Sequence, residues 1–569
     1  MKTSWIIQKE NQKLSEKIAK ALEISPITAQ LLINRGITTA EEAHQFLNSS
    51  LFDLPSPFLM NGMEKAVQRI IQAVENMEMI GIYGDYDVDG VTSTALFYNF
   101  LKEIGSRVTY YNPDRFTEGY GVNIEAIKKL ADQGVKLIIS GDCGITAVEE
   151  VEKAKELGID FIVTDHHKPP KQIPDAVAVL NPQLTGCGYP AKEITGVGVI
   201  FNLVLALRRE LRETGFFEGN EPNLGAYLDL VALGTVADCG SITNVNRILV
   251  KEGLKRMSSP KRQGLKALKE ASSIKGDVSS FDIGYRLGPR INASGRLNTA
   301  KEAVELFISN DPQAAKELAG LLNAENSNRQ GIEAKILEEA FSMIESEPKF
   351  QDSNSIVLAS KNWHQGVIGI VASRIVDKYL KPTFLIAIDD SGMGKGSGRS
   401  LDGVNIYTAL TKCSDFLEEF GGHDLAAGIT IKEKNIDKFK TRFDKALHGF
   451  KDKYVKNLTV DAYIETNDLN RELISEFGSL APHGIGNPEP VFLSKSLEVV
   501  GKKIFMEKHL SLKLKNGTKT YDAVWFNSNL ELEPSNKIDI VFTPEINTWN
   551  GGNNLRLRII DANLNETQN

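Results

Sequence analysis

The sequence predicts an α/β protein in which a parallel-sheet lobe is joined by a long helix to a second α/β lobe, with a small antiparallel β-barrel after it. Three observations point there. From about Ala66, short apolar runs alternate with amphipathic stretches, which is the pattern of a parallel sheet covered by helices. From about Ala300 to Ile344 the chain is rich in Ala, Glu and Leu and reads as a long helix. Near the C-terminus the period changes to two: Leu510, Leu512 and Leu514 alternate with Ser511, Lys513 and Lys515 ahead of Asn516-Gly517, a hairpin signal.

The elements follow in order. Residues 1–55 read as a polar helical segment (Leu14–Leu22, Glu41–Leu47), closed by Pro55 and Pro57. Residues 56–300 form the first lobe. Its strands are Met79-Ile80-Gly81-Ile82, Val135–Ser140, Phe161–Val163 and Val177–Leu180, with a helix over Ala147–Leu157. Residues 301–348 form the helical connector, and 349–452 the second lobe, which starts with the strand Ser355–Leu358. Residues 453–569 form the barrel, where Leu555, Leu557 and Ile559 alternate with Arg556 and Arg558.

At 569 residues the chain is too long for one core. Its 41% hydrophobic and 25% charged content is that of a soluble globular protein. No apolar run approaches the ~20 residues a bilayer span needs; the longest, Gly196–Leu207, carries Asn202. The N-terminus lacks the apolar core of a signal peptide. Cys143, Cys187, Cys239 and Cys413 are scattered without a CxxC pair, so a reduced cytoplasmic protein is expected. A net charge of -8 argues against an indiscriminate polyanion binder and predicts that any phosphate-binding groove is confined.

The chemistry concentrates in acids that follow apolar runs: Asp85, Asp87 and Asp89; Asp142 in Ser140–Gly144; Asp165-His166-His167; and Asp238 in Gly234–Asp238. Strand C-termini of a parallel sheet share one edge, so these groups are expected to converge. Like charges gathered at one place need a counter-ion, most simply a divalent cation. Oxygen donors with one imidazole suit Mn²⁺ or Mg²⁺ better than structural Zn²⁺, and several carboxylates can hold two ions ~3.5–4 Å apart. A second cluster, Gly288–Arg296, combines small residues with Arg290, Asn292 and Arg296, residues suited to gripping phosphate. In the second lobe, Trp363-His364 open one motif, while Gly394–Ser400, with Ser397 and Arg399, and Gly421–Gly428, with His423, read as glycine-rich anion-binding loops. Five of the eight histidines lie in motif segments: His166, His167, His364, His423 and His483.

In this order the motifs, together with Gly484–Pro490, resemble the DHH phosphoesterase superfamily and, within it, the RecJ family of single-strand-specific 5′→3′ DNA exonucleases. The resemblance spans nearly the whole chain. It implies a DHH lobe, a connecting helix, a DHHA1 lobe and an OB-fold. It implies that Asp87, Asp89, Asp142, His166 and Asp238 ligate metal, with Asp142 bridging two ions and Asp85 and His167 supporting the site. It also implies a phosphate-binding surface of Arg115, Arg290, Arg296, Ser397 and Arg399, with Asn292, Trp363, His364 and His423 among the residues expected near substrate. One departure is Tyr83, where many members carry a histidine.

The activity so implied is metal-dependent degradation of single-stranded DNA from the 5′ end to 5′-mononucleotides, in recombination and repair. Single-strand-binding protein and a helicase are the partners implied, and a monomer is expected. Trp525 or Trp549 in the barrel is a candidate for base stacking, against a core role. The alternatives are a phosphodiesterase for short oligonucleotides or cyclic dinucleotides, or a pyrophosphatase, which resemble only the first two lobes, and a non-catalytic replication scaffold, which would not keep all five ligands.

Overall fold

The computed structural model describes residues 3–114, 118–119, 121–297, 299–506, 508–528, 532–547 and 554–565. After the edge strand β1 (Ser4–Ile7), the first lobe contributes β2 (Met79–Gly84), β3 (Val108–Tyr111), β4 (Val135–Gly141), β5 (Asp160–Thr164) and β6 (Ala178–Leu180). They form one parallel sheet in the order β3-β2-β4-β5-β6. The chain leaves β2 for β3 on one side and returns to place β4 on the other. The crevice at the C-terminal ends of β2 and β4 is therefore the switch point where open α/β sheets bind ligands. The strands β2 and β4 are nearly continuous apolar runs because helices cover both faces. Strand β3 escaped the sequence reading because three of its four residues are only half-buried.

The connector is two helices. Lys301–Ile308 stops before Asp311, which caps a new helix with Pro312 at its first turn, Pro312–Ser346. At 35 residues this helix runs about 50 Å. Ala315, Ala319 and Leu322 on it belong to the first lobe's core, whereas Ile336, Ala340 and Ile344 belong to the second's. One rigid rod thus seats both lobes.

The second lobe contains β7 (Ile356–Ser360), β8 (Thr383–Ile388), β9 (Met393–Arg399), β10 (Glu419–Gly422) and β11 (Ala426–Lys432). They form a mixed sheet in the order β10-β11-β9-β8-β7, parallel only between β7 and β8. This corrects two expectations: Gly394–Ser400 and Gly421–Gly428 are not loops but largely strand. The glycines make room for large neighbours. A Cβ at Gly396 would sit 2.5 Å from Ile429, and one at Gly398 would enter the Phe384 ring.

The C-terminal strands are β12 (Asn457–Val460), β13 (Ala462–Tyr463), β14 (Phe492–Phe505), β15 (His509–Asn516), β16 (Lys519–Trp525), β17 (Lys537–Asn547) and β18 (Asn554–Leu564). The barrel runs β14-β15-β16-β18-β17 and closes through β14–β17. All its pairings are antiparallel except β16–β18, which is parallel, a refinement of the expected antiparallel barrel. Trp525 is buried in the barrel core, so it cannot stack on a base; Trp549 lies outside the described residues.

The N-terminal segment is not independent. Strand β1 pairs in parallel with β12, and Ile18, Leu31 and Leu32 share a core with Phe477 and Phe492. This body is tied to the first lobe by Arg247, which is fully buried. Its Nε donates to the Phe46 carbonyl (3.1 Å), Nη1 to Leu480 (2.8 Å) and Nη2 to Ser479 (3.1 Å), and its guanidinium lies over the Phe46 ring at 3.9 Å. Replacing it with Met leaves several buried carbonyls unpaired. Arg247→Met is expected to cost about 3 kcal/mol or more, read as a lower Tm, with early protease cleavage between the first lobe and the barrel.

Candidate metal centre

Four chain segments meet at the switch point. Asp85 follows β2 and is buried. Asp87 caps the helix Val88–Glu103, accepting from the Gly90 amide at 3.0 Å. Asp89, in the first turn of that helix, is fully buried and points to the start of the helix Gly196–Glu213. The amides of Gly196 and Val197 donate to its two carboxylate oxygens at 2.6 and 2.9 Å. A helix N-terminus thereby holds this negative charge in place. Asp142 follows β4 with a left-handed backbone, φ 66°, a strained conformation for a residue other than glycine. Gly196 faces it, and a Cβ there would lie 2.6 Å from the Asp142 Cβ.

Asp238 corrects the sequence reading in one respect: the run before it is not a strand but the helix Leu228–Ala237, and Asp238 is its C-cap. A carboxylate at a helix C-terminus meets the unfavourable end of the dipole, which adds to the charge that must be offset.

The imidazole of His166 sits at the centre. Its Nε2 is 3.0 Å from Asp142 Oδ1, 3.6 Å from Asp238 Oδ2 and 3.8 Å from Asp89 Oδ2. Yet neither His166 Nε2 nor Asp142 Oδ1 makes a hydrogen bond among the described residues, although both atoms are buried. Two such atoms left unpaired side by side fit lone pairs aimed at a shared cation. Donor atoms within 4.8 Å of one another fall into the sets Asp89–His166–Asp238, Asp85–Asp87–Asp142 and Asp142–His166–His167. Asp142 appears in two of these.

The electrostatics agree. Burial, and then neighbouring carboxylates, push Asp89, Asp142 and Asp238 above the usual carboxylate range. Burial, followed by the charge on His167, lowers His166 to about 4, so its ring is neutral and able to ligate. For His167 burial works against the cation, but the hydrogen bond and charge of Asp165 prevail and raise it to about 9. Asp165 itself is used up locally: it accepts from the amides of Ile145, His166 and His167 and from His167 Nδ1 at 2.8 Å.

The other expected site residues are dispersed. Gly288–Leu297 is a helix, and Asn292 accepts from the Val88 amide at 3.2 Å, bracing the loop of acids. Arg290 contacts Asn323 and the Arg286 carbonyl, and Arg296 reaches the Gly366 carbonyl of the second lobe at 3.2 Å. Ser397 and Arg399 lie together, Arg399 Nη1 donating to Ser397 Oγ at 3.1 Å. They face Gly369 at the start of the helix Ile368–Tyr379; a Cβ there would be 2.8 Å from Ser397 Oγ. His364 Nδ1 accepts from the Gly366 amide, and His423 is exposed in the β10–β11 turn. Trp363 is a correction: its indole is buried in the second lobe's core and donates to Glu339 on the long helix, so it is not a substrate contact. Tyr83 faces away from the acids, its hydroxyl donating to the Gly121 carbonyl. Arg115 lies outside the described residues.

Two contributors were missed in the sequence. The Gly196 and Val197 amides were signalled only by small residues opening a helix, and Asn112, whose side chain donates to the Asp85 carbonyl at 2.7 Å, by nothing local.

Family models for the DHH family N-terminal domain, the DHHA1 domain and the RecJ OB domain match residues 79–235, 352–449 and 460–561. The chain is 39% identical to the single-stranded-DNA-specific exonuclease RecJ of Bacillus subtilis, over 100% of this chain and 72% of the relative. It is 34% identical to that of Escherichia coli, over 98% of both. The chain belongs to the RecJ family. The crystal structure of RecJ in complex with Mn²⁺ from Thermus thermophilus superposes with a TM-score of 0.85 at 31% identity, covering 99% of this chain and 80% of that one. This chain and that structure therefore share the arrangement of lobes and barrel.

Without a cation the raised carboxyls make the folded state bind more protons than the unfolded chain above pH ~4. Stability of the metal-free protein from this source falls as pH rises through the raised values. In EDTA, Asp142→Asn is expected to be more stable than the unaltered protein, by more than about 1 kcal/mol at pH 8 and by less at pH 5, measured by denaturant unfolding. A gap that is constant with pH would contradict the buried, mutually repelling carboxylates.

Proposed function

We propose that the protein degrades single-stranded DNA from a 5′ end to 5′-mononucleotides with Mn²⁺ or Mg²⁺ as cofactor. The observation that carries this is the buried donor set sharing Asp142 at the switch point. The family's named members are single-stranded-DNA-specific exonucleases, which supports the choice of substrate. The setting is recombination and repair in the cytoplasm, as a monomer beside single-strand-binding protein and a helicase; among the described residues no helix is long and apolar enough to cross a membrane.

In this reading Asp87, Asp89, Asp142, His166 and Asp238, supported by Asp85, would hold the cations, which when bound would supply a nucleophile at neutral pH and neutralise phosphate charge. His167, 43% exposed at its side chain and held through Nδ1 by Asp165, donates through Nε2 to a phosphate or leaving oxygen. Arg290 and Arg296 sit on the helix that braces the acid loop, and supply further positive charge to the scissile phosphate. Ser397 and Arg399, on β9 and facing the start of the helix Ile368–Tyr379, hold the 5′-phosphate. In this reading His364 and His423 also contact the strand. The enzyme then counts from the 5′ end, and a slot between two lobes admits one strand and excludes a duplex.

A strand labelled at either end tests this. Loss is expected only from the phosphate-bearing 5′ end and only with a divalent cation. Asp142→Ala is expected to lower turnover more than about a hundredfold, and Arg399→Ala to raise KM for 5′-phosphorylated ends about tenfold while hardly changing it for 5′-hydroxyl ends. Digestion from the 3′ end, or substantial turnover by Asp142→Ala, would overturn the reading.

A further inference from the structure

Asp238 differs from the other acids of the metal centre in how it is aimed. Asp89 is gripped through both carboxylate oxygens by two amides, and Asp87 by one. Among the described residues no group donates a hydrogen bond to the Asp238 carboxylate, which faces His166 Nε2 at 3.6 Å and neighbouring acids. As the C-cap of the helix Leu228–Ala237 it also meets the last carbonyls of that helix, which repel a negative charge. Both effects drive the side chain toward water, so its direction is left to the backbone.

That backbone is clamped from outside the first lobe. Cys239 takes a left-handed conformation, φ 60°, and the Gly240 amide returns to the Thr235 carbonyl at 2.9 Å. Residues 241–243 then run against Gly484–Asn487, a sequence motif with no donor in the metal centre. The Ile242 amide donates to the Ile485 carbonyl at 2.7 Å. A Cβ at Gly484 would lie 2.7 Å from Ile242 Cγ1, and one at Gly486 2.5 Å from Ser241 Oγ, so the two glycines let the segments touch. The motif is itself fixed. Gly484 and Asn487 exchange amide-to-carbonyl bonds at 2.9 and 3.1 Å. Asn487 is fully buried. Its side chain donates to the Leu480 and Pro482 carbonyls, both at 2.8 Å, and accepts from Arg35 Nε at 2.7 Å. Arg35 is held in turn by the Leu31 and Pro488 carbonyls at 2.7 and 2.6 Å.

We propose that Gly484–Asn487 is a latch that aims Asp238 at the metal centre, with Asn487 as its positioning residue. This rests on the metal-dependent reading above, in which Asp238 is a ligand. The latch fixes the chain just beyond Asp238, where the helix that carries it has ended and no partner holds its carboxylate. The body made of the N-terminal helices and the barrel thus completes the donor set of the first lobe by docking against it. The metal centre and the seating of the barrel are then one coupled unit, and a disturbance at Asn487 is felt at the cation without touching any ligand.

The test is Mn²⁺ affinity of the full chain, read by electron paramagnetic resonance titration at a temperature where every variant is folded. Asn487→Ala and Gly484→Ala are each expected to weaken Mn²⁺ binding about tenfold. Ile242→Ala removes the atom that the new Cβ at position 484 meets, and is expected to restore the affinity when combined with Gly484→Ala. In an Asp238→Asn background, Asn487→Ala is expected to change the affinity hardly further. A purely structural role for Asn487 lowers Tm in both backgrounds and shows no such dependence on Asp238. Unchanged Mn²⁺ affinity in Asn487→Ala and Gly484→Ala would overturn the latch, as would an equal loss with and without the Asp238 carboxylate. Asp238→Asn alone reports separately on the metal centre: undiminished Mn²⁺ binding there would overturn that reading, and the latch with it.

Discussion

Mutual repulsion among buried carboxylates is the constraint on which this molecule is organised. Asp85, Asp89 and Asp142 are almost wholly buried, and Asp87 and Asp238 close the ring. Charges brought this near in a poorly solvated crevice cannot all be ionised without a counter-charge. One neutral imidazole, His166, stands among them, and the cationic His167 lies at the edge. The fold assembles an arrangement that is unfavourable by itself and that becomes favourable with divalent cations in it.

Much of the first lobe serves to hold that arrangement. The amides of Gly196 and Val197 grip Asp89, the Asn292 side chain grips the Val88 amide, and Asn112 grips the Asp85 carbonyl. Asp142 keeps a left-handed backbone opposite a glycine. Each of these lowers the freedom of a donor to swing away from its neighbours. A site of this kind gives up stability in the metal-free protein for a preformed geometry. The long helix carries the same logic outward: by lying in the cores of both lobes, it sets Ser397 and Arg399 of the second lobe at a definite distance from the acids.

The sequence made the strands and their terminal acids legible because both signals are local: an apolar run, then a carboxylate. Asp238 was expected beside the other acids for a partly wrong reason, since an apolar helix buried on all sides looks like a buried strand over so short a run. The glycine-rich strands of the second lobe were read as loops because their glycines answer to Phe384 and Ile429, residues far away in the chain. Trp363 was expected near substrate from the family resemblance, and nothing local announces its Glu339 partner. The pairing of β1 with β12, and the buried Arg247 joining three segments, depend on contacts hundreds of residues apart and left no trace in local periodicity.

The most direct measurement is anomalous diffraction from crystals of this protein equilibrated with Mn²⁺. Two peaks about 3.5–4 Å apart are expected, one among Asp89, His166 and Asp238, the other beside Asp85 and Asp87, with Asp142 touching both. A single peak remote from Asp142, or carboxylates that stay apart with no ion between them, would contradict the account.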